Sequence, residues 1–186
     1  MGYALMRHLA RAAAVLCMAA MACAQRPDVT YMLRPHEELP DGADGGRGFT
    51  KVFLAGTIDM GAGRDWQAEM YERFSGTEGR FIFFNPRQEH WDASRPGEMD
   101  YQENWELERL EEADFIIMYI LGNSKSPISL LEMGLHARSG KLYIICEEDF
   151  YSHDNVRITC SRYGIPLFSS MESFWESPSN PVRKPI

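Results

Sequence analysis

From Lys51 onward the chain alternates between short, unbroken apolar runs and longer segments whose apolar residues recur every three or four positions. The runs at 52–55, 81–84, 115–121 and 142–146 are four to seven residues long. They have the length and continuity of strands buried on both faces. Between them, 65–74 carries Trp66, Met70 and Phe74 four apart, the spacing of one helix face. Segment 101–112 places Tyr101, Trp105 and Leu110 near one side of a second helix. A third helix is expected over 127–139, with Ser126 as N-cap, Pro127 at N1 and Gly140 just past its end. A short fifth strand at 165–168 precedes a last helix at 171–176. Strand–helix alternation of this kind implies right-handed crossovers and an α/β three-layer sandwich. The expected sheet is five-stranded and mostly parallel.

The rest of the chain divides around that domain, taken as 51–178, with a tail at 179–186. Residues 25–50 are rich in Pro, Gly and Asp, with one short apolar segment at 29–33, and read as an N-terminal arm. Residues 1–24 hold Arg7, His8 and Arg11, no acidic residue, and an apolar run over 12–22 ending in Ala22-Cys23-Ala24. That is the pattern of a cleavable leader, and the run is too short for a stable membrane span. Use of the leader would place the protein in the periplasm or outside the cell, with Cys23 an alternative lipidation site. Without it the protein is cytoplasmic, from an unused upstream start (Met32 being the alternative) or behind a transit peptide.

Charge and cysteine usage exclude several classes. A formal net charge of −8 argues against nucleic acid as a partner, because phosphate neutralisation needs clustered Lys and Arg. Four scattered cysteines supply neither a disulfide framework nor a zinc site. Cys146 reads as a core thiol, or as one half of a Cys146–Cys160 bridge if the protein is exported. The five histidines form no HExxH or other ligand spacing, so no metal is expected. No cofactor is expected either.

In parallel sheets ligands bind beyond the carboxyl ends of the strands. The loop after the first expected strand, Gly56-Thr-Ile-Asp-Met-Gly-Ala-Gly63, is glycine-rich but matches neither dinucleotide nor phosphate-loop spacing. Asp59 within it would repel a phosphate and suits an uncharged, hydroxylated ligand. In Pro127-Ile-Ser-Leu-Leu-Glu-Met-Gly-Leu-His136, Glu132 is a lone carboxylate among apolar residues, with Ser129 and His136 on its face. A buried carboxylate costs desolvation, a tension that active sites exploit; the alternative is a surface pair between Glu132 and His136. The helix at 101–112 carries many acids, most of them a solvated face, and the pattern singles out none. Trp91 and Trp105 are candidates to stack on a base or to pack in the core. Arg87 is either an anion ligand or a loop anchor.

Taken in order, Val52-Phe-Leu-Ala-Gly-Thr-Ile-Asp59, Asn85-Pro-Arg87, Trp91-Asp92, Trp105-Glu106, Ala113-Asp114, Pro127-Ile-Ser-Leu-Leu-Glu-Met-Gly-Leu-His-Ala137 and Gly140-Lys141 resemble the nucleoside 2-deoxyribosyltransferase-like family. The likeness runs from about residue 29 to 170. It implies a flavodoxin/Rossmann-like fold, a homo-oligomer sharing active sites, and exchange of the base on a 2-deoxyribonucleoside, with a nucleoside and a free base as partners and a place in nucleotide salvage. Glu132 would be the nucleophile that forms a covalent glycosyl-enzyme, and Glu106 the acid that helps protonate the base. Gly56 and Thr57 would line the sugar and base pocket. Asp59, Asn85, Arg87, Trp91, Ser126 and Ser129 complete the candidate substrate-binding set. The chain has Val52 and Ser126 where characterised family members carry a tyrosine and an aspartate. Hydrolysis of a nucleoside or nucleotide, with Arg64 and Arg87 as candidate phosphate ligands, is the alternative reaction. A non-catalytic nucleotide-sensing module is the third.

Overall fold

A computed structural model describes residues 28–59 and 63–181 of the chain. The leader at 1–24 with Cys17 and Cys23, residues 60–62 of the first loop, and the end of the tail at 182–186 lie outside the described residues. Among the described residues there are six strands: β1 (Val29–Leu33), β2 (Thr50–Gly56), β3 (Arg80–Phe84), β4 (Phe115–Ile120), β5 (Leu142–Cys146) and β6 (Leu167–Phe168). All pair in parallel, in the order β1-β3-β2-β4-β5-β6. The helices are α1 (Trp66–Ser75), α2 (Glu98–Glu112), α3 (Pro127–His136), α4 (His153–Tyr163) and α5 (Met171–Glu176), with a 3-10 turn at Asp41–Gly46. Without the edge strand β1, the strand order is that of doubly wound, flavodoxin-like sheets.

The strand count is therefore six where five were expected. Segment 29–33, taken as part of an arm, adds an edge strand whose register runs from Val29 opposite Arg80 to Leu33 opposite Phe84. Its residues are half-buried up to Leu33, so the sequence lacks the continuous apolar run of a central strand. Helix α4 was also unanticipated: only Val156 and Cys160 along it are buried, too thin a stripe to stand out among its polar residues.

The two faces of the sheet build two apolar layers. Phe53, Ala55, Ile116 and Met118 pack beneath α2, α3 and α4, against Trp105, Leu110, Met133 and Val156. On the other face, Val52, Leu54, Ile117 and Tyr119 pack against Trp66, Met70 and Phe74 of α1 and Met171 and Phe174 of α5. The expected α1 stripe is fully buried. Each such large side chain contributes about 1.5–3 kcal/mol. In α2, Trp105 and Leu110 are buried while Tyr101 is exposed, because α2 begins at Glu98 and Tyr101 stacks instead on His36. Trp105 packs edge-on to Phe84 and is a core residue. Cys146 and Cys160 are both buried free thiols.

Strand β2 sits where the winding reverses: α1 carries the chain from β2 to β3 on one side, and α2 carries it back across to β4. A crevice opens at such a reversal, beyond the strand ends. Gly56 closes β2 there with φ 125°, and a Cβ at that position would lie 2.2 Å from the Tyr119 carbonyl oxygen. Gly56→Ala should therefore cost at least ~2 kcal/mol, since a backbone clash cannot rotate away. A Cβ on Gly122 would meet only the exposed Asp149 side chain, which can swing aside. Urea denaturation of the two variants should show the larger loss for Gly56→Ala; equal losses would contradict this account.

Candidate active site

A cleft of about 310 Å³ lies at this reversal, lined by Gly56, Thr57, Asp59, Glu106, Ser126 and Ser129 around Glu132. Ala55, Ile58, Pro86, Pro127 and Ile128 complete its wall. Four segments supply it: the end of β2 and its loop, the start of the loop after β3, α2 through Glu106, and the N-terminal half of α3 with Ser126 before it. Of the ten sequence-designated residues, seven lining ones are brought together, including both designated carboxylates.

A cluster of hydroxyls fixes the floor. Thr57 Oγ1 accepts the Leu121 N–H at 3.0 Å and lies 2.7 Å from Ser126 Oγ and 3.1 Å from Ser124 Oγ. Ser124 Oγ donates to the Leu121 carbonyl, and Trp66 Nε1 donates to the Thr57 carbonyl at 2.8 Å. These bonds tie the end of β2 to the β4–α3 loop. Ser126, expected to cap α3, does not do so: its hydroxyl is taken by Thr57 and Ser124, and its backbone is left-handed at φ 41°. The first N–H groups of α3 consequently lack a side-chain cap where the helix meets the cleft. Asp59, also on the wall, is left-handed at φ 48°. Non-glycine residues in that region carry strain, which the hydroxyl network and Pro127 hold in place at Ser126.

Helix α3 inverts the usual amphipathic arrangement. Ser129 and Glu132 face inward with Met133, while Ile128, Leu131 and Leu135 are more than half exposed. Glu132 is 7% exposed and has no hydrogen-bond or ion-pair partner among the described residues. The surface pair with His136 is not formed; His136 is half-buried, and burial followed by nearby Lys141 lowers its pKa. Helix α3 ends at His136, earlier than expected, and Gly140 follows in a left-handed turn.

Both carboxyl groups are pushed well above the ordinary range. Burial, then the proximity of Glu106 and Glu103, raises Glu132 to about 8. Burial also raises Glu106 to about 7, opposed by a hydrogen bond from Gln102 and reinforced by Glu103. Like charges in one largely desolvated cleft wall disfavour double ionisation, so protons are retained on the pair near neutral pH. The sequence singled out no second carboxylate by pattern; the fold selects Glu106 by turning it, alone among the α2 acids, into the cleft.

Asn85, Arg87 and Trp91 do not line the cleft. Asn85 is buried at the end of β3, where Oδ1 accepts the Arg87 N–H at 3.0 Å. The Arg87 guanidinium donates to Gln67 Oε1 at 3.3 Å and to the Arg64 carbonyl at 3.3 Å, which makes it a loop anchor. Arg64 itself is forked onto Glu69. No Lys or Arg lines the cleft among the described residues. Val52 points into the α1–α5 layer, on the sheet face opposite α3, so its difference from the family's tyrosine does not alter the wall. Ser126 does alter it. No group of three or more His, Cys, Asp or Glu among the described residues is placed to hold a metal. No described helix is long and apolar enough to cross a membrane.

A doubly wound parallel sheet with a buried and a half-buried carboxyl group in its switch-point cleft defines an α/β protein of the Rossmann-like class. The family model described as nucleoside 2-deoxyribosyltransferase like matches residues 50–150, which hold β2 to β5 and every lining residue of the cleft. The chain belongs to that family, a group of transferase- and glycosidase-like enzymes acting on nucleosides. No curated protein matches it.

The raised carboxyls link stability to pH. Folded pKa values above the unfolded ones favour the native state below about pH 4.5, and that contribution is lost as pH rises through 7 to 8. Glu132→Gln removes one of the two, so the variant should exceed the parent in stability at pH 9 by on the order of 2 kcal/mol. The difference should vanish near pH 4.5, as read by urea unfolding. A parent protein equally stable relative to the variant at both pH values would sink the assignment.

Proposed function

We propose that the protein cleaves the N-glycosidic bond of 2-deoxynucleosides and passes the sugar to a second base through a glycosyl–Glu132 intermediate. The observation that carries this reading is the pair of cation-free carboxyl groups in one cleft, Glu132 buried and Glu106 half-buried. Cleavage builds positive charge on the sugar and negative charge on the departing base. The ionised Glu132 attacks C1′, the C1′–N bond breaks, and its electron pair leaves with the base, which takes the proton of Glu106. An incoming base then attacks C1′ from the vacated side, releases Glu132, and returns its proton to Glu106. In the empty cleft burial holds the proton more tightly on Glu132 than on Glu106; positive charge developing on the sugar ring beside Glu132 reverses that order and leaves the proton of the pair on Glu106. Ser129 and Asp59, which line the same cleft, would meet the sugar hydroxyls.

The absence of Lys and Arg from the wall supports an uncharged substrate. A second reading, removal of the base from a nucleotide with water as acceptor, draws on the uncapped start of α3, whose N–H groups and Ser126 suit a 5′-phosphate. We also propose a homo-oligomer. The apolar stripe Ile128, Leu131 and Leu135 beside the cleft supports it, since an exposed row of this kind marks an interface.

Given one deoxynucleoside and a different free base, the purified protein should exchange the bases, and mass spectrometry should find a deoxyribosyl adduct on Glu132. Glu132→Ala should lower turnover by at least ~1,000-fold; full activity in that variant would refute the nucleophile assignment. Free sugar without an acceptor base, and preference for the 5′-monophosphate, would select the second reading. Leu131→Asp should shift sedimentation toward the monomer, and an unchanged profile would remove the oligomer proposal.

A further inference from the structure

An unbroken run of hydrogen bonds leads from the surface to Glu106. His36, stacked on Tyr101, bonds through Nε2 to Glu98 Oε1 at 2.8 Å. Glu98 is buried and also accepts from Gln88 Nε2 at 3.0 Å. Gln88 Nε2 donates again to Gln102 Oε1 at 2.6 Å. Gln102 Nε2 donates to the Pro86 carbonyl at 2.8 Å and to Glu106 Oε1 at 2.5 Å. Gln102 stands one helical turn before Glu106 on α2, so the two share a face.

The orientation of each amide in this run is forced. The bonds from His36 and Gln88 hold Glu98 below the usual carboxylate range, so it is an acceptor only, and Gln88 must turn its NH2 toward it. That NH2 also meets Gln102, which must therefore present its carbonyl oxygen. The Gln102 NH2 then faces Pro86 O, which can only accept, and Glu106. Both anchors demand the same orientation. Its two N–H groups are spent on Pro86 O and Glu106 Oε1, so Glu106 Oε1 is an acceptor.

We infer that Gln102 is the positioning residue that aims the acid proton of Glu106, by holding Oε1 as acceptor and leaving the proton on Oε2. Oε2 has no partner among the described residues, and Glu106 lines the cleft. After the proton passes to the departing base, the same N–H stabilises the carboxylate left behind. The other charged groups around Glu106 are all acidic: Glu103 on its own helix, Glu132 from α3, and Asp59 on the opposite wall. Gln102 is its only hydrogen-bond donor among the described residues. This inference rests on Glu106 being the acid of the proposed reaction.

The test compares the full chain with Gln102→Met and Gln88→Leu. Removing the donor raises the Glu106 pKa, so the alkaline limb of kcat/KM, where the acid loses its proton, should move to higher pH by at least about half a unit. With 2′-deoxyguanosine, kcat should fall ~10-fold or more with KM nearly unchanged. With N7-methyl-2′-deoxyguanosine, whose base departs neutral and needs no proton, turnover should hold near the parent rate. Gln88→Leu, which frees the Gln102 amide to flip, should give smaller changes of the same sign and keeps the test alive if Gln102→Met does not fold. An unmoved alkaline limb, or equal losses on both substrates, overturns the inference. A parent protein with no turnover on any substrate overturns the functional reading instead. In that case carbon-13 titration of the Glu106 carboxyl in parent and variants still decides whether Gln102 tunes it: an upward shift supports the coupling, and no shift overturns it.

Discussion

The cleft depends on how closely β2 and β4 approach at their carboxyl ends. Gly56 lies against the Tyr119 backbone, where no Cβ fits, and Thr57 follows by accepting the Leu121 N–H through its hydroxyl. From that point Ser124 and Ser126 are drawn in, and Ser126 is held in a left-handed conformation that launches α3. The position of Glu132 is thus set at the sheet, six residues before the side chain itself. One glycine and one threonine determine where α3 starts, and the start of α3 determines what faces the crevice.

That arrangement imposes a cost on the fold. Burying Glu132 without a cation or hydrogen-bond donor, beside Glu106, works against folding at neutral pH. The apolar layers on the two sheet faces supply the stability that tolerates it. Two cations near the site in sequence are engaged elsewhere, Arg64 with Glu69 and Arg87 with Gln67 of α1 and the Arg64 carbonyl of the loop before it. The two carboxyls differ in support: Glu106 is held by Gln102, and Glu132 is left free. In the proposed reaction that asymmetry lets Glu106 direct a proton and Glu132 meet carbon.

Much of this was legible in the residues. The apolar runs of β2, β3, β4 and β5 and the Trp66–Met70–Phe74 stripe are strong signals, because burial on both faces or on one helix face leaves a periodic trace. Glu132 stood out as a charge in an apolar stretch, and only the ordered family motifs pointed to Glu106. Strand β1 and helix α4 left no such trace. An edge strand is half-solvated, and α4 buries two side chains only. Asn85, Arg87 and Trp91 were placed in the site because they follow a strand end, yet loop residues at strand ends also hold the loop, and the first two do that.

Local order, the α/β class and the identity of the nucleophile candidate were therefore determined by the sequence alone, through periodicity and through one misplaced charge. Which acid of α2 faces the cleft, what Ser126 bonds to, and how Gln102 is oriented were decided only by the tertiary structure. Each of these depends on partners distant in sequence: Thr57 lies 69 residues from Ser126, and Glu106 meets Glu132 only because β3 and β4 flank β2. Periodicity records which side of an element is buried. It does not record which buried group finds which partner.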